Sequence, residues 1–92
     1  MGSSDTDRDP VVRELRDRIA ANDLALLQAL NRRMELVRQL KEHKDSQGFP
    51  FVDAAQEKRL LDQLEAANTG PLSGAAVREL YELLLDLTKR EA

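Results

Sequence analysis

The amino-acid sequence predicts an all-α protein of three helices, the first of them very long. Apolar residues recur every three or four positions along most of the chain, which is the spacing of one helix face. Glycine and proline, the residues that interrupt helices, number only 4 and 3 among 92. Aromatic residues make up 3% of the chain, and Leu, Ala, Glu, Asp and Arg dominate a composition typical of helical proteins.

The first helix is predicted to begin at Pro10, because Asp9 is suited to cap it and proline is favoured at the first helical position. No further glycine or proline occurs until Gly48. The helix therefore runs for roughly 35 residues, or about 52 Å at 1.5 Å per residue. Its apolar stripe consists of Val12, Leu15, Ile19, Leu26, Leu30, Val37 and Leu40.

Two shorter helices follow, each marked by a start signal. Asp53 and Gln56 have the spacing of a capping box, so the second helix is predicted to start at Asp53. Ser73 is the predicted N-cap of the third helix. Leu72 and Val77 flank it at the positions of a hydrophobic staple, which fixes the entry of a chain into a helix.

The first helix is too long to be covered by the rest of its own chain. A domain of 92 residues has a radius of gyration of about 12 Å, and helices of roughly 15 residues are only about 23 Å long. We therefore expect a homodimer in which the long helices of two copies lie side by side. Residues 10–92 form the predicted helical domain, and the polar residues 1–9 are predicted to be a disordered tail.

Composition excludes several classes of protein. The chain has no cysteine, which removes disulfides, thiolate catalysis and cysteine-based metal sites. The lone histidine, His43, is expected at the surface, and no metal or cofactor is predicted. A net charge of -3 disfavours nucleic acid as a partner, because no excess of positive charge is present to neutralise phosphates. No apolar run is long enough to span a membrane, so a cytoplasmic protein is expected.

Two cations interrupt the apolar seam of the first helix. Arg33 and Lys44 are eleven residues apart, close to three full turns, so their side chains leave one face about 16 Å apart. A charge that faces a core is costly unless it is paired, and a small anionic ligand between them would pair both. Alternatively, each cation pairs with an internal acid or extends to solvent. The other positions of this face are Leu26, Leu30, Val37 and Leu40.

Four further residues are candidates for a site. Arg16 lies roughly 100° around the helix from Arg33, so it either reaches the pocket of a partner chain or is solvated. Asp53 and Glu57 share a helix face, which suits acid–base or metal chemistry. Acids are also favoured in the first turn of any helix. Thr88 lies in the apolar stripe of the third helix, where threonine usually bonds back to the preceding turn.

An ordered set of segments resembles the all-helical chorismate mutases of the AroQ type over residues 10–90, nearly the whole chain. Helical patterns recur widely, so the resemblance draws its specificity from the order of these segments and the distances between them. The segments are Leu15–Ile19, Asp23, Leu26–Leu27, Leu30, Arg32–Leu36 and Lys44 in the first helix, Phe51–Glu57 at the start of the second, and Gly70–Ser73 before the third.

The resemblance implies an intertwined homodimer that converts chorismate to prephenate in aromatic amino-acid biosynthesis. Arg33 and Lys44 would bind the carboxylates and the ether oxygen of chorismate, and Arg16 would enter from the partner chain. Glu57 would accept a hydrogen bond from the ring hydroxyl. The remaining substrate contacts that it implies are Asp53, Gln56 and Thr88.

The sequence departs from the family pattern at two positions. Gln56 stands where the family commonly has arginine, and Ala92 where it often has glutamine. These departures leave open a mutase for aminodeoxychorismate or a related dianion, and a non-catalytic dimerisation or regulatory module of the same fold. A plain antiparallel coiled coil is a third alternative. A partner enzyme of aromatic biosynthesis is also open, because some small mutases of the family depend on one.

Overall fold

The computed structural model describes residue 6 and residues 8–92. It contains three α-helices within these residues, α1 (Pro10–Gln47), α2 (Ala54–Ala67) and α3 (Gly74–Glu91). The predicted fold class is therefore confirmed. The predicted disordered tail falls mostly on residues 1–5 and 7, which lie outside the described residues, and it stays a prediction.

Helix α1 begins and ends where local sequence signals place its limits. An Asp9 carboxylate oxygen accepts hydrogen bonds from the backbone N–H groups of Val11 at 2.8 Å and Val12 at 3.2 Å. At the other end Gly48 adopts φ +72°. The Phe49 N–H donates to the Lys44 carbonyl at 2.8 Å and the Gly48 N–H to the Asp45 carbonyl at 3.2 Å. This left-handed glycine cap explains why the helix stops there.

The two short helices begin at the predicted caps. The Asp53 carboxylate accepts from the Gln56 N–H at 3.1 Å, and the Ser73 hydroxyl accepts from the Ala76 N–H at 3.1 Å. The Gln56 side chain does not return this bond to Asp53 in the way a capping box requires. Its amide oxygen accepts instead from Arg59 Nε at 3.1 Å and Nη2 at 2.9 Å.

The chain forms two compact units, with the division after Arg33, inside α1. In the second unit α2 and α3 pack against each other. They run antiparallel, because the start of α2 is paired with the end of α3 through Glu57 and Lys89. Their shared core contains Leu61 and Val77, which are 9% and 7% exposed.

Arg78 of α3 links the two short helices on their outer side. Its Nη1 lies 3.2 Å from Asp62 and 2.8 Å from Glu65, both on α2. Hydrogen bonds to Glu65 first, and then to Asp62, raise the pKa of Arg78 above its ordinary value. Because the guanidinium is charged at every physiological pH in any case, this contact fixes the pairing of the helices without adding a pH-dependent switch.

Helix α1 has no buried side chain over its 38 residues, which correspond to about 57 Å. Many of its apolar residues are about half exposed, for example Leu15 at 49% and Ile19 at 60%. We predicted a second copy because the apolar stripe of this helix would otherwise be left uncovered, and in the single chain it is uncovered. None of the helices in the described part of the chain is apolar enough over a sufficient length to cross a membrane.

Candidate active site

Lys44, in the last turn of α1, faces the loop that leads into α2. Its ammonium donates a hydrogen bond to the Phe51 carbonyl at 3.2 Å, and the side chain is half-buried. A cavity of about 450 Å³ opens at this point. Two predicted site residues, Lys44 and Asp53, therefore line one cavity. Its other lining residues are Phe49, Pro50, Val52 and Ala54.

Asp53 caps α2, and Glu57 forms an ion pair with α3. The Asp53 carboxylate accepts from the backbone of Gln56, so the helix-start explanation for this acid is confirmed. The carboxylate of Glu57 binds Lys89 Nζ at 2.9 Å through Oε1 and at 3.2 Å through Oε2. In the part of the chain that the structure describes, no group of three or more potential metal ligands is found.

Thr88 lies beside Lys89 in the last turn of α3 and is 7% exposed. Its hydroxyl donates to the Leu84 carbonyl at 2.8 Å. This is the bond to the preceding turn that the sequence predicted. It fixes the rotamer of the buried Thr88 side chain.

The two candidate arginines of α1 and the single histidine differ in burial. Arg33 is half-buried, whereas Arg16 and His43 are exposed. Arg33 lies in the first compact unit and Lys44 in the second. Their joint binding of one anion stays a prediction, as does the entry of Arg16 into the site of a partner chain.

Gln56 is exposed and bound to Arg59, one turn further along α2. Arg59 is two residues beyond Glu57, which turns it about 200° away from Glu57 around the helix. Arg59 therefore does not restore, on the Glu57 face, the positive charge that an arginine at position 56 would supply.

Two contacts that the sequence did not reveal hold the end of α3. Lys41 Nζ donates to the Ala92 carbonyl at 2.9 Å, and Arg38 Nη2 donates to the Glu91 carbonyl at 3.3 Å. The Lys41 ammonium also lies 5.5 Å from the centre of the Phe51 ring, within the range of a cation–π contact. Cations are favoured at carbonyl ends of helices, so these residues fix the turn that contains Lys89.

Sequence reasoning also missed Lys89, the partner of Glu57. The available signal was its position: a lysine next to Thr88, in the last turn of α3. That signal becomes informative only once α2 and α3 are known to be antiparallel, because this arrangement brings the last turn of α3 to the first turn of α2. The second unit thus offers cationic donors and a carboxylate acceptor, which suit a polar anion that carries a hydroxyl group.

Comparisons with known proteins match the sequence and the fold to one family. A family model described as chorismate mutase type II matches residues 15–92. The form I structure of chorismate mutase from Thermus thermophilus is 25% identical, with a TM-score of 0.82, over 84% of this chain and 96% of that one. The form II structure of the same protein is 24% identical, with a TM-score of 0.83, over 86% and 90%.

No curated protein matches the chain. The family model nevertheless extends over all three helices, from the second turn of α1 to the end of α3, and two chorismate mutase structures share the fold. The chain therefore belongs to the chorismate mutase type II family.

Proposed function

We propose that this chorismate mutase rearranges chorismate to prephenate at a site formed by its own Arg33, Lys44 and Glu57, with Arg16 supplied by a second copy of the chain. The observation that carries the proposal is that the half-buried Lys44 lines a cavity. The family match spans the positions of all four residues.

The reaction needs only binding and electrostatics. It is a unimolecular Claisen rearrangement, in which the ether C–O bond breaks while a new C–C bond forms within the same molecule. No nucleophile, proton transfer or metal is required. Catalysis consists of holding the dianion in its compact conformation and placing positive charge where the ether oxygen gains negative charge.

Lys44 is suited to the ether oxygen. An ammonium has three donors, and the Phe51 carbonyl takes one of them. That bond fixes the direction of the side chain, and the remaining protons can point into the cavity. Because charge at the ether oxygen develops only in the transition state, we expect Lys44 to contribute more to turnover than to substrate affinity.

The remaining contacts follow the charges of the substrate. Arg33 binds one carboxylate in the bidentate manner that suits a guanidinium, and Arg16 of the second copy binds another. Glu57 accepts the ring hydroxyl. The backbone at Asp53 lies near the ring hydroxyl, Thr88 lies near a carboxylate, and Gln56 stays at the edge of the site.

The first test is the loss of chorismate in the presence of purified protein, with the product identified by chromatography. We expect prephenate from the wild type and a rate lowered by about 10²–10³-fold in Arg33→Ala, the usual effect of removing a group that stabilises the transition state. Arg13→Ala, an exposed arginine on the same helix, is the matched control and should retain activity. A folded dimer that leaves chorismate intact would contradict the proposal.

Gln56 favours aminodeoxychorismate as the second candidate substrate. The neutral side chain removes one cation near the substrate, and an amino group on the ring would be accepted by Glu57 as readily as a hydroxyl. Measuring kcat/KM for both substrates with one enzyme preparation decides between them, and the larger value identifies the substrate.

Location and partners follow from the biosynthetic role of the family. We propose a cytoplasmic enzyme, which cell fractionation would test. We also propose an enzyme of aromatic amino-acid biosynthesis as a partner, which would appear as a rise in kcat/KM when the partner is added.

A further inference from the structure

The ion pair between Glu57 and Lys89 joins two helix ends. One ammonium lies within 3.2 Å of both oxygens of the carboxylate. The Glu57 side chain is 26% exposed and that of Lys89 is 38% exposed. A single ammonium between both oxygens restrains the plane of the carboxylate as well as its position.

Each charge of the ion pair lies at a helix end whose dipole stabilises it. Glu57 is in the first turn of α2, where the helix dipole favours an anion, and Lys89 is in the last turn of α3, where it favours a cation. A pair this exposed contributes little to stability. The main effect of the ion pair is therefore on the position of the Glu57 carboxylate and not on the free energy of folding.

The backbone that carries Lys89 is itself held in place. The Thr88 hydroxyl bonds to the turn before it, and Lys41 and Arg38 of α1 bind the carbonyls of Ala92 and Glu91 just after it. Lys89 therefore reaches Glu57 from an anchored turn, and its flexible stem is restrained at its base.

We propose that Lys89 is a positioning residue for the mutase reaction, which holds the Glu57 carboxylate aimed at the ring hydroxyl of the substrate. This inference rests on the proposed role of Glu57 in chorismate binding. With Gln56 neutral and Arg59 turned to another face of α2, Lys89 supplies the positive charge beside Glu57.

A double-mutant cycle tests the inference. We expect Lys89→Met to lower kcat/KM for chorismate roughly tenfold, the effect of losing one charge-assisted hydrogen bond, and Lys89→Arg to restore most of the loss. In a Glu57→Gln background, Lys89→Met should change the rate by less than about twofold, because its target is gone. Lys58→Met, which removes an exposed lysine next to Glu57 in the sequence, should match the wild type.

Three results would overturn the proposal. If Lys89→Met equals Lys58→Met, the ion pair has no role in the reaction. If its loss is the same in both backgrounds, Lys89 acts on the substrate or on the fold, and thermal unfolding followed by circular dichroism separates these two. If the wild type leaves chorismate unchanged, the proposed function is wrong, and the proposed role of Lys89 is wrong with it.

Discussion

At the scale of single residues, the site combines contacts that are local in sequence with contacts made across helices. Lys44 binds the carbonyl of Phe51, seven residues away, whereas Glu57 binds Lys89, 32 residues away. The local contacts recur wherever a helix runs into a short loop. The distant contact depends on the packing of α2 against α3, so the residues that make it are coupled to the fold of the second unit.

Lys44 should be required as an ammonium at its present position. We expect Lys44→Met to lower kcat by about 10²–10³-fold with a smaller change in KM, because the lost charge acts mainly in the transition state. Lys44→Arg keeps the charge on a longer, planar group and should recover only part of the rate. Steady-state kinetics on chorismate measure this split, and a change confined to KM would show that Lys44 serves binding alone.

Residue identity predicted some of these roles and missed others. Thr88 bonds to Leu84 and Asp53 caps α2 because hydroxyls and short carboxylates find the nearest backbone group. Lys89 gave no such signal, since a lysine in a last helical turn is ordinarily solvated. Its partner is chosen by which helix lies opposite, and helix pairing is not encoded within a few residues.

At the scale of helices, the starts of all three were predictable because N-caps are local. Asp9, Asp53 and Ser73 each accept from a backbone N–H group two or three residues ahead. The reciprocal contact predicted for the capping box of α2 was wrong, since the Gln56 amide oxygen binds Arg59. On a solvated helix face, a fork of two N–H donors competes well for an amide oxygen.

The N-caps of the two short helices, Asp53 and Ser73, should differ in their effect on activity but not in their effect on stability. Ser73→Ala should lower the free energy of unfolding by about 1 kcal/mol, which lowers the melting temperature by about 4–8 °C, with kcat/KM unchanged at assay temperature. Asp53→Ala should cost a similar amount of stability and also lower activity, because Asp53 lines the cavity beside Lys44. Calorimetry paired with the chorismate assay checks both, and loss of activity in Ser73→Ala would contradict the distinction.

At the scale of the whole molecule, the main feature is the exposed apolar stripe of the long helix α1. The apolar stripe of α1 was predictable from its spacing, and its exposure in a single chain is seen at Leu15, Ile19 and Leu26, which are 49–60% exposed. What covers this stripe, and whether Arg16 reaches a neighbouring site, depends on a second copy. A single sequence contains no distance between copies, so this part stays a prediction.

Mixing two inactive variants tests the shared site. Arg16→Ala and Arg33→Ala should each be nearly inactive alone. If each site takes its Arg16 from the other copy, a mixed dimer has one intact site and one doubly altered site. Random exchange of subunits should therefore restore roughly a quarter of wild-type activity. No recovery after exchange, with mixed dimers verified by native mass spectrometry, would place Arg16 and Arg33 in the same chain's site or outside any site.

The absence of buried side chains along α1 also makes the stability of the folded enzyme depend on its concentration. If the long helix is covered only by another copy, folding and association are one equilibrium, and the unfolded fraction grows as the protein is diluted. The melting temperature should then rise with protein concentration. Cells that make little of the enzyme would hold a larger share of it as chains exposed to proteolysis, so expression level itself would influence how much active enzyme persists.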